Sequence, residues 1–569
     1  MQKLWMRLPR PSASERARPD TVNPSAPYRA LIPIGYLLLC AAWVVLGLAG
    51  HDPWKTEDAV SIGAAFEMAQ RGDYLVPTNA AEPELVRPPL IYAAAALAIN
   101  AFAPPLKAHN AARLFAGVML ALTLLLAALA SRELTGRSLI WLPVLLLVGS
   151  VGFWDRAHTL APELGLMLGV ASGLYGFALA LRRPIAGGLA LGLGVAFAFG
   201  SYGLLGPLWL ALSALALPGC GVPWRTRSYC VTLLLALVVA LPLCALWPWA
   251  LHARDAALFA TWWEGETFAR YVAPARSADS FDPWYFPKNL LWFAWPSLPL
   301  VVWMLWTRGR GFNGGLSQPA VVIPGVVALV ILTSLVLLPD GRLVQAMPLL
   351  VPLALLGAIE VDSLERGLSS ALNWFGILMF GLLAIVFWGL WIDSYISGMS
   401  LNIARIFRDS EIGFQPSFHL GTMLAAVLLT VFWIVLVRPA HRSNRRAILN
   451  WAAGITLVWG LYATIWLPYL DLRRSYRVLI DSVAHALPTS GCVASRNLGE
   501  AQRALFYYLA GLRTVREEVR AGHDCSALLV QYRWQEVDAE TPEGHRKIWE
   551  GKRRGDETER FVLYRRVAS

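Results

Sequence analysis

Long apolar runs alternate with short polar breaks along most of the chain. The runs fall near 31–49, 109–131, 138–153, 162–181, 185–199, 206–217, 229–250, 288–306, 320–338, 344–360, 371–396, 418–437 and 448–470. A helix needs roughly 20 apolar residues to cross a bilayer. The pattern therefore predicts a polytopic α-helical membrane protein with about 13 transmembrane helices. The first run is long for a signal-peptide core and lacks a small-x-small cleavage site, so it reads as a retained span. The 185–217 stretch is interrupted by Gly200, Gly203, Gly206 and Pro207, and reads as two spans or as one kinked span.

The breaks decide between those two readings. Threading the chain alternately in and out puts Arg132, Arg137, Arg182, Arg183, Arg225, Arg227, Arg308, Arg310, Arg366, Arg438, Arg442, Arg445 and Arg446 on one side. Short loops on the other side hold only Arg156 and Arg342. Basic residues stay in the cytoplasm. Merging 185–217 into one span would put the 438–446 cluster outside, so two spans are expected there. This organisation gives a cytoplasmic segment 1–29, a multi-span domain 30–470 and an external domain 471–569. Within the multi-span domain, 51–108 and 251–287 are long external loops. The stretch 57–71 reads as an amphipathic helix at the membrane surface and 89–103 as an interfacial helix. In the last hundred residues, 492–495, 526–532 and 561–567 read as strands and 499–511 as a helix, giving a small α/β domain.

Composition sharpens the class. Hydrophobic residues make up 56% and charged residues 15% of the 569 positions, against roughly 45–50% and 25% in soluble chains. A soluble enzyme, a secreted disulfide scaffold and a disordered chain are excluded. The 25 Trp suit aromatic belts at two interfaces. The net charge of +11 lies mostly in short loops, which speaks for topology and anionic-lipid contacts and against nucleic acid. Cys492 and Cys525, the two cysteines of the last domain, read either as an external disulfide or as two buried thiols. No Cys or His spacing matches a zinc site.

Candidate chemistry gathers on the external side. Glu57 and Asp58 open the amphipathic helix. They read either as acids stabilising the helix start after Thr56 or as a carboxylate pair acting as general base or metal ligands. Arg87, before Pro88-Pro89, reads as a phosphate-binding guanidinium or as a snorkelling side chain. Asp155, Arg156, His158 and Glu163 follow in the next external loop. Glu163 sits at the top of a span, where a carboxylate needs a partner or a function. His158 reads as a polar interfacial residue or as a substrate contact. Span interiors carry almost no ionisable residues, which weighs against a transporter or flippase of lipid-linked sugars. A non-catalytic membrane scaffold whose last domain binds a partner would not need these acids and Arg87 together.

The stretch His51-Asp52-Pro53-Trp54, Glu57-Asp58, Glu67-Met68, Gly72-Asp73-Tyr74-Leu75-Val76-Pro77 resembles the first periplasmic loop of the protein O-mannosyltransferase superfamily. It looks most like the bacterial branch that includes the lipid A aminoarabinose transferases. Arg87-Pro88-Pro89-Leu90-Ile91-Tyr92, Ala111-Ala112-Arg113 and Asp282-Pro283-Trp284-Tyr285-Phe286 resemble further elements of that family. The resemblance covers most of 31–470. It implies a C-type glycosyltransferase of the bacterial inner membrane, with its N-terminus cytoplasmic and its C-terminus periplasmic. The implied donor is a polyprenyl-phosphate sugar; the acceptor is lipid A, another envelope glycan or a protein. By position, the resemblance makes Glu57 the base, with Asp58 and Glu163 beside it. Arg87 and Arg270 would hold the donor phosphate, and His158, Tyr92 and Trp284 would contact substrate. A divalent ion (Mg, Mn, Ca or Zn) is a further expectation, with Glu57 and Asp58 as ligands. The chain departs from the family pattern in the order Glu-Asp, in Val60-Ser61 for Arg-Tyr, in Val86 for Glu, and in Tyr202 where a Lys is frequent.

Overall fold

The computed structural model describes residues 26–154, 156–269, 282–338, 341–396, 418–438, 443–488, 491–519, 525–533, 541–556 and 558–567. The chain falls into two compact units, residues 1–41 and 42–569. In the first, the described residues begin the helix Ala26–Val45, which carries Pro33 inside it. Everything below concerns the second unit.

Among the described residues, eight helices are long and apolar enough to cross a membrane: Ala108–Thr135, Pro162–Ala180, Pro184–Tyr202, Arg227–Arg254, Pro319–Leu337, Arg366–Ile396, Leu420–Val437 and Asn444–Thr464. Two bent pairs raise the count to ten. One is Arg137–Val148 with Val151–His158; the other, Tyr285–Phe293 with Ser297–Gly309, bends by 101°. Each of the thirteen apolar runs falls on helix, but the runs at 206–217 and 344–360 make only short apolar ones. The shortfall has a local cause. Pro296 breaks one run in mid-course, and Pro348 lies in a tight 3-10 turn ahead of Leu350–Ile359. The 185–217 stretch folds as two helices, Pro184–Tyr202 and Leu205–Cys220, separated at Gly203, whose φ of +83° is left-handed.

Small residues bring the bundle close. A Cβ on Gly169 would lie 2.6 Å from the Ala198 Cβ and 2.7 Å from the Gly194 carbonyl oxygen. Helices Pro162–Ala180 and Pro184–Tyr202 thus pack backbone against backbone, as membrane helices do where dispersion has to replace the hydrophobic effect.

A two-stranded hairpin, β1 (Thr78–Asn79) and β2 (Glu82–Pro83), sits in the first loop. The last domain is a five-stranded sheet of β3 (Val493–Arg496), β4 (Thr514–Arg516), β5 (Ala527–Arg533), β6 (His545–Gly551) and β7 (Glu559–Arg566). Its order is β4-β3-β5-β7-β6, parallel on the β3 side and antiparallel on the β7 side. Alternate residues of β5 and β7 are buried on both faces. Leu529, Phe561 and Leu563 face helices Arg477–Ala486 and Glu500–Ala510, and Leu528, Val530, Val562 and Tyr564 lie on the other side. The strands expected from sequence are β3, β5 and β7. β4 is too short to show a period, and β6 is a largely exposed edge strand with polar residues on both faces. Cys492 and Cys525, just ahead of β3 and β5, form a disulfide with Cα atoms 4.6 Å apart.

The helix Glu57–Arg71 packs against the last domain. It buries Asp58, Ala59, Ser61, Ile62, Gly63, Ala64, Ala65, Glu67 and Met68, and Ala59 joins the core of the last domain. The approach is set at Gly63, where a Cβ would meet the Ala504 Cβ at 2.9 Å. Replacing Gly63 with Val should therefore force the two helices apart. The expected cost is about 1–3 kcal/mol, seen as a lower melting temperature of the purified protein in detergent and as faster proteolytic release of the last domain.

Candidate functional site

Asp58 and Glu57 are neighbours in sequence but serve different surroundings. The Asp58 carboxylate is buried and accepts from Arg113 Nη2 at 2.7 Å and Arg113 Nε at 3.3 Å. It also accepts from the Leu160 backbone N–H at 2.9 Å and the Trp54 N–H at 3.3 Å. Arg113, fully buried in the first turns of Ala108–Thr135, donates further to the His51 and Asp52 carbonyls, both at 2.9 Å. One ion pair thus ties the first loop, a membrane helix and the segment leading to Glu163. Burial pushes the Asp58 carboxyl up, but the Arg113 charge and hydrogen bonds outweigh it and hold it below the usual range.

Glu57 turns to the open side. Its carboxylate lies 3.6 Å from Arg342 Nη1, and its side chain is about one third exposed. Glu163, in the first turn of Pro162–Ala180, is buried. Its Oε1 lies 3.9 Å from Arg87 Nη2, while its Oε2 accepts no hydrogen bond from the described residues. Glu57 and Arg342 are both within electrostatic reach of Glu163. Arg87 precedes the Pro pair that starts Leu90–Phe102, and its guanidinium carbon sits 3.5 Å from the centre of the Tyr202 ring. Tyr202 is the seat on which Arg87 rests. Tyr92 is buried within electrostatic reach of Arg87 and Glu163.

The fold therefore brings Glu57, Glu163, Arg87 and Tyr92 to one end of the bundle. Other expected residues lie elsewhere. His158 is buried, with its Nδ1 3.0 Å from the Trp154 carbonyl and its Nε2 2.6 Å from the Trp43 carbonyl. Its ring stacks on Trp459 at 4.2 Å. Trp284 is exposed at the start of Tyr285–Phe293. Arg270 and Asp155 lie outside the described residues. Glu57 and Asp58 do not fit a shared metal site, because Arg113 and two backbone amides occupy the Asp58 oxygens. Among the described residues no three His, Cys, Asp or Glu side chains converge as ligands.

Sequence reasoning missed Arg342 and Arg113 as site residues. Arg342 carried a signal as one of two arginines in the short loops on the side that basic residues avoid; Arg113 carried one as a charge at the start of an apolar run.

The last domain completes the surroundings. Asp52 pairs with Arg477 (Oδ1 to Nη2 2.5 Å) and accepts from Ser475 at 2.7 Å. Asp471 accepts from the Asp52 N–H and the Trp54 indole, both at 2.9 Å. Lys55 pairs with Glu559, which also accepts from Tyr476 at 2.8 Å. In the first loop, Glu67 accepts from Thr78 Oγ1 and the Ala80 and Ala81 amides at 2.6, 2.6 and 2.9 Å. Arg503 grips Glu82 at 2.8 Å.

This fold is shared with a membrane protein of known structure, ArnT from Cupriavidus metallidurans. The crystal structure of ArnT from Cupriavidus metallidurans bound to undecaprenyl phosphate matches with a TM-score of 0.66, over 94% of this chain and 98% of that chain, at 15% identity. The apo form of the same protein matches with a TM-score of 0.65 over 95% and 98%, at 14% identity. No protein-family model and no curated protein matches by sequence.

Two outcomes follow from the buried pairs. Asp58→Asn leaves Arg113 without its counter-charge and should cost about 3–5 kcal/mol, read as a lower melting temperature. The pH dependence has a definite sign. Burial raises the Asp52 carboxyl, but the Arg477 and Ser475 hydrogen bonds and the Arg477 charge bring it below the usual Asp value of 3.8. An acid with a lowered native pKa stabilises the fold above its unfolded value and loses that contribution as pH falls through the native one. Asp471 runs the other way, raised by burial and by Asp52. Thermal melts below about pH 4 should show the Asp52 and Asp58 contributions disappearing, and the drop should shrink in Asp52→Asn.

Proposed function

We propose that the protein is a C-type glycosyltransferase of the bacterial inner membrane. It moves one sugar from an undecaprenyl-phosphate donor to an envelope acceptor on the periplasmic side: lipid A, another glycan or a protein. The N-terminus is cytoplasmic and the last domain periplasmic, in keeping with the distribution of arginines along the chain. The observation that carries this reading is the meeting of Glu57, Glu163 and Arg87 at one end of the bundle, in a fold shared with a protein solved with undecaprenyl phosphate.

The chemistry is a displacement at the anomeric carbon. The acceptor hydroxyl gives its proton to Glu57, and its oxygen bonds to the anomeric carbon. The bond from that carbon to the phosphate oxygen breaks, and its electron pair leaves on polyprenyl phosphate. Arg87, seated on Tyr202, stabilises the charge that grows on the phosphate. Glu163 sets the field at Arg87 and offers its unoccupied Oε2 to a substrate hydroxyl. Asp58 does not touch substrate. It is a positioning residue, because it fixes the helix start bearing Glu57 to the backbone three residues before Glu163.

The test is sugar transfer by the full-length protein in nanodiscs, with undecaprenyl-phosphate sugars as donors and envelope lipid as acceptor. Glu57→Gln should lower kcat by about a hundredfold or more, and Arg87→Ala should raise the donor KM. Translocation of intact donor without release of polyprenyl phosphate would instead support a transporter. Transfer that survives Glu57→Gln and Arg87→Ala unchanged would remove this site from the reaction.

A further inference from the structure

Four charged side chains make two pairs at the site. In each pair the nearest atoms stand at 3.6 and 3.9 Å, beyond hydrogen-bond range. Both contacts are therefore Coulombic and exchangeable. Arg342 differs from Arg87 in its exposure: its side chain is 71% exposed against 17%. Its backbone N–H donates to Gln345 Oε1 at 3.0 Å, and it lies in the turn just before Leu343–Leu349.

We infer that Arg342 is a second cation for the donor phosphate and that its pairing with Glu57 is the resting state, exchanged when the donor binds. The inference rests on the polyprenyl-phosphate reading above. The donor phosphodiester carries one negative charge, and the departing polyprenyl phosphate carries more. A second guanidinium therefore gains most as the bond breaks, which is where stabilisation raises kcat. No covalent step beyond the displacement already described is involved.

The experiment measures binding of undecaprenyl phosphate to the full-length protein in nanodiscs, with melting temperatures as a check on folding. Arg342→Ala should weaken binding about tenfold, and Arg342→Lys should restore part of it. Glu57→Gln, which removes the competing carboxylate, should tighten binding several-fold, and this gain should vanish in the Glu57→Gln/Arg342→Ala double variant. If Arg87→Ala abolishes binding while Arg342→Ala and Glu57→Gln both bind as the wild type does, the donor reading stands and this inference is overturned. If the wild type does not bind undecaprenyl phosphate, the donor reading fails and the inference with it.

Discussion

The ion pair between Asp58 and Arg113 is the constraint on which the rest of this end of the molecule depends. A fully buried guanidinium is tolerated only with a counter-charge and partners for its N–H groups. Arg113 finds them in one carboxylate and two carbonyls of the first loop. Its demand fixes the path of residues 51–58, and through the Leu160 amide it fixes the start of the helix bearing Glu163. The separation of Glu57 from Glu163 is therefore set by a pair that belongs to neither.

A second layer holds that loop from above. Asp52, Lys55, Gly63, Glu82 and Asn79 all meet residues of the last domain, through ion pairs, one close helix contact and a hydrogen bond to the Glu500 carbonyl. The sheet is stapled by its disulfide, and its central strands β5 and β7 are buried on both faces. Glu67 does the equivalent from within the loop by holding the hairpin tip, where Ala80 and Ala81 both adopt positive φ.

Much of this was legible in the sequence, and what was not has physical causes. Apolar runs gave the positions of the helices, but not which runs would fold as short or bent segments. That depends on how Pro296 and Pro348 are accommodated by neighbours. Clustering of acids and Arg87 on one side anticipated that Glu57, Glu163 and Arg87 would lie near one another. Adjacency misled over Glu57 and Asp58: successive helical residues point about 100° apart, so one meets buried Arg113 and the other the open site. His158 looked like a site residue because it lies between two of them, yet its ring is enclosed by Trp43, Trp154 and Trp459. Arg342 and Tyr202 come from distant parts of the chain and share no local motif with Arg87, so only the fold could bring them together.

The clasp between Asp52 and Arg477 spans 425 positions. At synthesis rates of about 5–20 residues per second, the loop emerges roughly 20–85 s before its partner. Through that interval the loop has Arg113 to hold it from beneath but nothing to cover Ala59 and Gly63. The final form of this end of the protein is a late event in its biogenesis, reached only when the last segment of the chain has been made and has folded.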